Sequence, residues 1–168
     1  MTELTQAGFT SRDFRSTVGT FATGVTVVTT MGAEHGYGMT ANAFSSVSLD
    51  PPLVLVCVIY PSEGATQIQA NGCFAVNVLA ADQEPISRYF ASRDRPRGQD
   101  AFAEVSHRVG ASGSPILDGA AGYLDCRLHT THEAGDHLIF LGEVLELGFT
   151  EGAPLVFHGG GYKVVSAP

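Results

Sequence analysis

Between Gly38 and Pro52 the chain reads GMTANAFSSVSLDPP, and its most apolar run, LVLVCVIY (Leu53 to Tyr60), follows directly. Thr40, Asn42, Ser45 and Ser46 offer donors and acceptors with little bulk. Ala41 and Ala43 lie between them, and such small side chains let a ligand approach the backbone closely. A flat heterocycle with a hydrogen-bonding edge suits this lining. The competing reading is an edge strand with its polar residues turned outward.

A second grouping concerns charge. Only nine residues are Lys or Arg, and four of them, Arg88, Arg93, Arg95 and Arg97, fall within RYFASRDRPR. Arginine makes bidentate contacts with phosphate, so the cluster reads either as an anion site or as a solvated loop. Ser62 stands at a predicted helix start, where free backbone N–H groups form a second device for holding an anion.

The histidines invite a metal test. His129 and His132 have HxxH spacing, but on an alternating strand that odd separation sends the rings to opposite faces. His132 and His137 flank a turn at Gly135 without a carboxylate-rich set beside them, so no metal site is expected. Cys57, Cys73 and Cys126 lack CxxC spacing and read as small core residues. No GxGxxG follows a strand, and neither GxxxxGK nor GxSxG occurs. The glycines 159–161 precede a strand and read as a turn.

The totals set bounds. A formal charge of −8 argues against nucleic acid, which needs a basic face. No apolar run reaches the ~20 residues of a membrane span, and MTELTQAGFTSRDF lacks the pattern of a signal peptide. A cytoplasmic protein with no membrane partner is expected. At 168 residues the chain reads as one domain, spanning 1–168. Its charged fraction is low, so apolar surface must be hidden in a closed barrel or a subunit interface.

These groups need a scaffold. Thr10-Ser-Arg-Asp13 resembles a capping box, and Phe14, Val18 and Phe21 repeat at helical spacing, with a break at Gly24. Val25 to Met31 is β-branched and strand-like, and Gly32 to Gly38 reads as a turn. Ser62 caps a second helix that ends at Asn71-Gly72, and Cys73 to Leu79 is a strand. Asp82 caps a third helix with Ile86, Tyr89 and Phe90 on one face. Ser92 to Gly113 reads as loop with one short element. Tyr123 to Thr131 alternates, 133–136 turns the chain, and Leu138 to Leu147 returns. Six or more strands with two or three short helices, not regularly alternating, predict a mostly antiparallel barrel with helices at its rim.

Several stretches together resemble the short-chain flavin reductases, the flavin reductase components of two-component flavin-dependent monooxygenases. They are Phe21-Ala-Thr-Gly-Val-Thr-Val-Val28, the run from Gly38 to Leu53, Phe74-Ala-Val-Asn-Val-Leu79, Ser87-Arg-Tyr-Phe90, and Gly135-Asp-His137 followed by Gly142-Glu-Val144. The resemblance covers nearly the whole chain. It implies a split β-barrel of the FMN-binding type, antiparallel and Greek-key, with short capping helices, working as a homodimer. It implies NAD(P)H-dependent reduction of FMN or FAD, with diffusible reduced flavin passing to a separate monooxygenase.

Carried over by the resemblance, Thr40, Ala41, Asn42, Ala43, Ser45 and Ser46 line the isoalloxazine, mainly through backbone groups. Ser62 and Arg88 hold phosphate, Phe90 packs near the flavin, and His137 lies beside the nicotinamide. Of Ala43 and Ser45, where the family pattern often has Ser or Thr, only Ala43 departs from it, and mildly. The arginines from 93 to 97 favour FAD over FMN. The lack of any other basic cluster favours NADH over NADPH. The alternative class is a flavin- or haem-binding module without turnover, or an oxidase of a pyridoxal-type phosphate.

Overall fold

A computed structural model describes residues 8–33 and 35–165. Helix α1 (Ser11–Val18) opens with the expected capping box: Thr10 Oγ1 accepts from Asp13 N–H, and Asp13 accepts from Thr10 N–H. The Thr10 hydroxyl also donates to the Asp13 carboxylate at 2.7 Å, and this bond, then the one from Thr10 N–H, holds that carboxyl below its usual range. The helix stops at Gly19, so Phe21 lies beyond it rather than on its face. Strands β1 (Thr23–Gly24), β2 (Thr26–Met31), β3 (Gly36–Ala41), β4 (Phe44–Leu49) and β5 (Pro52–Ile59) follow. The stretch expected as a turn to Gly38 is shorter, because β3 resumes at Gly36 and pairs it with Met31.

Helix α2 (Glu63–Asn71) is capped by Ser62, whose Oγ accepts from Ala65 N–H at 3.2 Å. It ends at Gly72 with φ +66°, a left-handed conformation that favours glycine. Strand β6 (Cys73–Val78) leads to α3 (Glu84–Ala91), whose N-cap is Gln83 and not Asp82. Gln83 holds Ala80 N–H with Oε1 and donates to the Asp118 carbonyl, so its side chain braces the loop instead of capping the helix. The stretch expected as loop with one short element, Ser92 to Gly113, holds two, a 3₁₀ turn (Gly98–Phe102) and β7 (His107–Val109), and β8 (Pro115–Leu117) follows it. Strands β9 (Gly122–Ala134) and β10 (His137–Phe149) form a long hairpin, longer than its alternation suggested. Strands β11 (Leu155–His158) and β12 (Gly161–Val164) make the last hairpin.

Seven strands form one antiparallel sheet in the order β3-β2-β6-β9-β10-β5-β4. Its two edge strands, β3 and β4, are joined only by Asn42-Ala43. So short a connection brings opposite edges of the sheet together, and the sheet must curl into a barrel. The two edges share no ladder, so the barrel is split there. Val28, Val54, Val56, Phe74, Cys126 and Phe140 fill its interior, with Ala65 and Ile68 of α2 packed among them. A second core of Val27, Leu79, Phe90, Phe102 and Leu155 lies under α3 and the 3₁₀ turn. Asp125, on the polar side of the alternation, is fully buried. It accepts from Ser112 N–H and Oγ, which ties the loop before β8 to β9.

Candidate functional site

The split positions the polar stretch that begins at Gly38. A groove of about 610 Å³ opens beside the β3–β4 connection. Asn42, Ala43, Phe44 and Ser45 form one wall, Ala22 to Gly24 another, and Leu55 and Cys57 of β5 the floor. A cleft of about 180 Å³ adjoins it, lined by Val25, Thr40, Ala41, Asn42, Phe157 and Tyr162. Asn42 belongs to both. The groove's volume falls within the ~300–1,000 Å³ of sites for cofactor-sized molecules, and the cleft adds to it. The walls are mostly apolar with a few small polar groups, which fits a flat aromatic ring system.

The connection is held by its backbone. Cys57 N–H donates to the Ala43 carbonyl at 3.0 Å, and Thr26 Oγ1 to the Ala41 carbonyl at 2.6 Å. Asn42 Nδ2 reaches Thr23 Oγ1 at 3.3 Å. Thr40 Oγ1 donates to the Ser87 carbonyl at 2.6 Å, so that hydroxyl ties β3 to α3. Ser45 lines the groove. Ser46 is exposed, does not line it, and projects from the other face of β4, because neighbouring strand residues alternate.

The two residues expected at a phosphate lie on opposite faces of β3. Ser62 caps α2 on the inner side, where Gly64 packs on Tyr37 and Met39 so closely that a Cβ would lie 2.7 Å from the Met39 sulfur. Arg88 projects from α3 on the outer side. Its guanidinium pairs with Glu84 at 2.6 Å and lies 4.9 Å from the Tyr162 ring centroid, beside the smaller cleft. Tyr162 is fixed in turn by a 2.8 Å hydrogen bond between its hydroxyl and Ser87 Oγ.

Phe90 does not face the groove. It is 1% exposed and packs under Gly38 against Phe102. A ligand cannot reach it; its role is to support β3, because the apolar face of α3 is turned into the core. His137 opens β10 opposite Ile59, on the sheet face that also carries Cys57. Two residues of strand, ~7 Å, separate Ile59 from Cys57 on the groove floor. The His137 ring therefore stands beyond one end of the groove and does not line it. Its Nδ1 is 2.7 Å from Asp136 Oδ1, a contact that holds the Asp136 carboxyl below its usual range.

Sequence reasoning overlooked Thr23, Gly24, Cys57 and Tyr162 as lining residues. The first two lie in a stretch already singled out, Phe21 to Val28, and Tyr162 follows the glycines of the last turn. Cys57 carries no signal, because only strand parity places it outside the barrel while Val56 and Val58 point in. Among the described residues no group of three or more His, Cys, Asp or Glu is placed to hold a metal ion.

A split antiparallel barrel, with a small-residue groove at its seam and an arginine beside an adjoining cleft, defines a binder of flat, phosphate-bearing heterocycles. The chain belongs to the family described as flavin reductase like domain, whose model matches residues 18–166. It is 50% identical over 132 residues to an NADH-dependent FAD reductase of Streptomyces globisporus, covering 78% of this chain and 72% of that protein. It is 38% identical over 154 residues to HsaB of Mycobacterium tuberculosis, the reductase subunit of a flavin-dependent monooxygenase, covering 90% and 80%. The NADH:FAD oxidoreductase SgcE6 of Streptomyces globisporus, solved with NAD and FAD fragments, superposes with a TM-score of 0.86. That pair is 40% identical, covering 100% of this chain and 98% of the other.

Proposed function

We propose that this protein is an NADH-dependent flavin reductase that reduces FAD or FMN and releases the product to a separate flavin-dependent monooxygenase. The observation that carries the reading is the adjoining groove and cleft at the β3–β4 seam, with small residues at their walls and Arg88 beside the cleft. The nicotinamide supplies a hydride and the isoalloxazine accepts it, chemistry that belongs to the two cofactors. The chain's own part is positional, since stacked rings at near-attack distance need little acid–base help.

Ala41, Asn42, Ala43 and Ser45 receive the ring along the seam. Ser62 and Arg88 hold phosphate from the two sides of β3. His137 orients the nicotinamide from the end of the groove, itself held by Asp136. Release of the product fits this site, which offers few charge-assisted contacts and, in a sequence without tryptophan, no indole to stack on the ring.

The protein works as a homodimer in the cytoplasm. Helix α1 has no buried residue, and Phe14 and Val18 on it are exposed, as are Leu145, Leu147 and Phe149 at the end of β10. Apolar surface on that scale needs a covering partner, and a second copy supplies one.

Anaerobic mixing of the protein with NADH and excess free flavin tests the activity. Many equivalents of oxidised flavin absorbance are expected to bleach per protein. Bleaching limited to one equivalent, or none, would leave only a binding module.

A further inference from the structure

The arginines that the sequence places together do not form one site. Arg88 stays with α3 beside Tyr162. Arg93, Arg95 and Arg97 instead surround a separate cleft of about 60 Å³, closed by Tyr37, Gly38 and Pro96. No carboxylate lines this cleft, although Asp94 and Asp100 belong to the same loop.

The loop is pinned in place. Arg95 donates to the Gly38 carbonyl at 2.5 Å and also to the Ser92 carbonyl. Its guanidinium lies 5.2 Å from the Tyr37 ring centroid. Arg97 pairs with Glu63 in the first turn of α2. Arg93 has no hydrogen-bond or ion-pair partner among the described residues and is exposed. Holding three guanidinium groups around one small space costs repulsion, which a bound anion relieves. An unpaired arginine there, on a chain of net charge −8, marks a place for a small anion.

Position along β3 identifies the anion. The arginine cleft lies at Tyr37-Gly38, and the groove for the ring lies at Asn42-Ala43. Four residues of extended strand separate Gly38 from Asn42, about 13 Å. Ser62 and Arg88 flank the strand between these ends. A flavin laid along β3 with its ring at the seam meets those two residues first and the arginine cleft beyond them. FMN ends at its single phosphate. FAD continues through a second phosphate to the adenosine.

We propose that the cleft of Arg93, Arg95 and Arg97 takes the second phosphate of FAD, and that the protein therefore selects FAD over FMN. This rests on the flavin reductase reading and names its substrate.

The test is steady-state kinetics with FAD and with FMN, for the wild type, Arg93→Ala and Arg93→Lys. Arg93 is exposed and unpaired, so its replacement leaves the fold intact. In Arg93→Ala the ratio of kcat/KM for FAD to that for FMN is expected to fall about tenfold, the loss of one charge-assisted contact, and to do so through the KM for FAD. Arg93→Lys recovers part of it. Free ADP is expected to compete with FAD in the wild type and about tenfold less well in Arg93→Ala. An unchanged ratio in an active enzyme, or an equal loss with both flavins, overturns the inference while the reductase reading stands. A loss seen only when NADPH replaces NADH also overturns it, by assigning the cleft to the nicotinamide nucleotide's extra phosphate. A wild type that reduces neither flavin sinks both.

Discussion

Arg88→Ala is expected to raise the KM for flavin about tenfold with little change in kcat. A charge-assisted hydrogen bond contributes about 1.5–3 kcal/mol. Here the side chain is 66% exposed and shares its guanidinium with Glu84, so the low end applies. That is about 1.5 kcal/mol, or roughly tenfold in affinity. The Tyr162 ring beneath the guanidinium fixes its direction, and losing that stacking adds ~0.5 kcal/mol at most. The phosphate is remote from the reacting ring, so it is bound equally in ground and transition states, and the loss appears in KM alone. Glu84→Gln acts in the opposite sense. It removes the competing carboxylate of an exposed i,i+4 pair worth about 0.3–0.5 kcal/mol, and lowers KM about twofold. The assay is initial rate against flavin concentration at saturating NADH. A large fall in kcat at saturating flavin with unchanged KM would refute the reasoning, as would a rise in KM for Glu84→Gln.

Three other outcomes follow from the packing and the charges. Gly38→Ala places a Cβ 2.5 Å from Phe90 Cε1 and 3.2 Å from Phe102 Cζ, two rings locked in the core. Overpacking of this kind costs about 1–3 kcal/mol, measured by urea unfolding, and a loss below about 0.5 kcal/mol contradicts it. Cys57, half-buried on the groove floor, is expected to react first with a thiol reagent, and slowly, because desolvation raises its pKa. Cys126 reacts only on unfolding, since burial and the neighbouring Asp125 push it up to about 12. Equal rates for the two in the native protein would count against this placement. The Glu146 carboxyl is held low by Arg108, then by Tyr123, so its contribution is present above its unfolded value of about 4.3 and is lost as pH falls through the lower folded value. Glu146→Gln is therefore expected to flatten the dependence of stability on pH below about 4.5, as followed by thermal melts from pH 6 to pH 3.

The capping box at Thr10, the Ser62 cap, the Gly72 stop and the strand character of β2, β5 and β6 were all readable from the chain alone. Each depends on residues within a few positions of one another, where propensity and turn chemistry act directly. The same locality explains the misreadings. Gln83 displaced Asp82 as the N-cap because its side chain was needed by Ala80 and by Asp118, which is 35 residues away. Phe90 was expected near the flavin because the resemblance includes Ser87-Arg-Tyr-Phe90, but two residues, about 200° round α3, turn Arg88 to solvent and Phe90 to the core.

The sequence by itself determined the class of fold and the stretch that receives the ligand, because alternation, turn residues and small polar side chains are written in order along the chain. Only the tertiary structure decided what stands around that stretch. Curling of the seven-stranded sheet brings β3 and β4 together and sets Thr23 and Tyr162, 139 positions apart in the numbering, around the same groove and cleft. It also divides one run of arginines in two, since α3 holds Arg88 on the outer face of β3 while the following loop wraps Arg95 onto the Gly38 carbonyl. Which long-range neighbours meet is set by burying both faces of one curled sheet at once, a condition on the whole chain that no local stretch encodes.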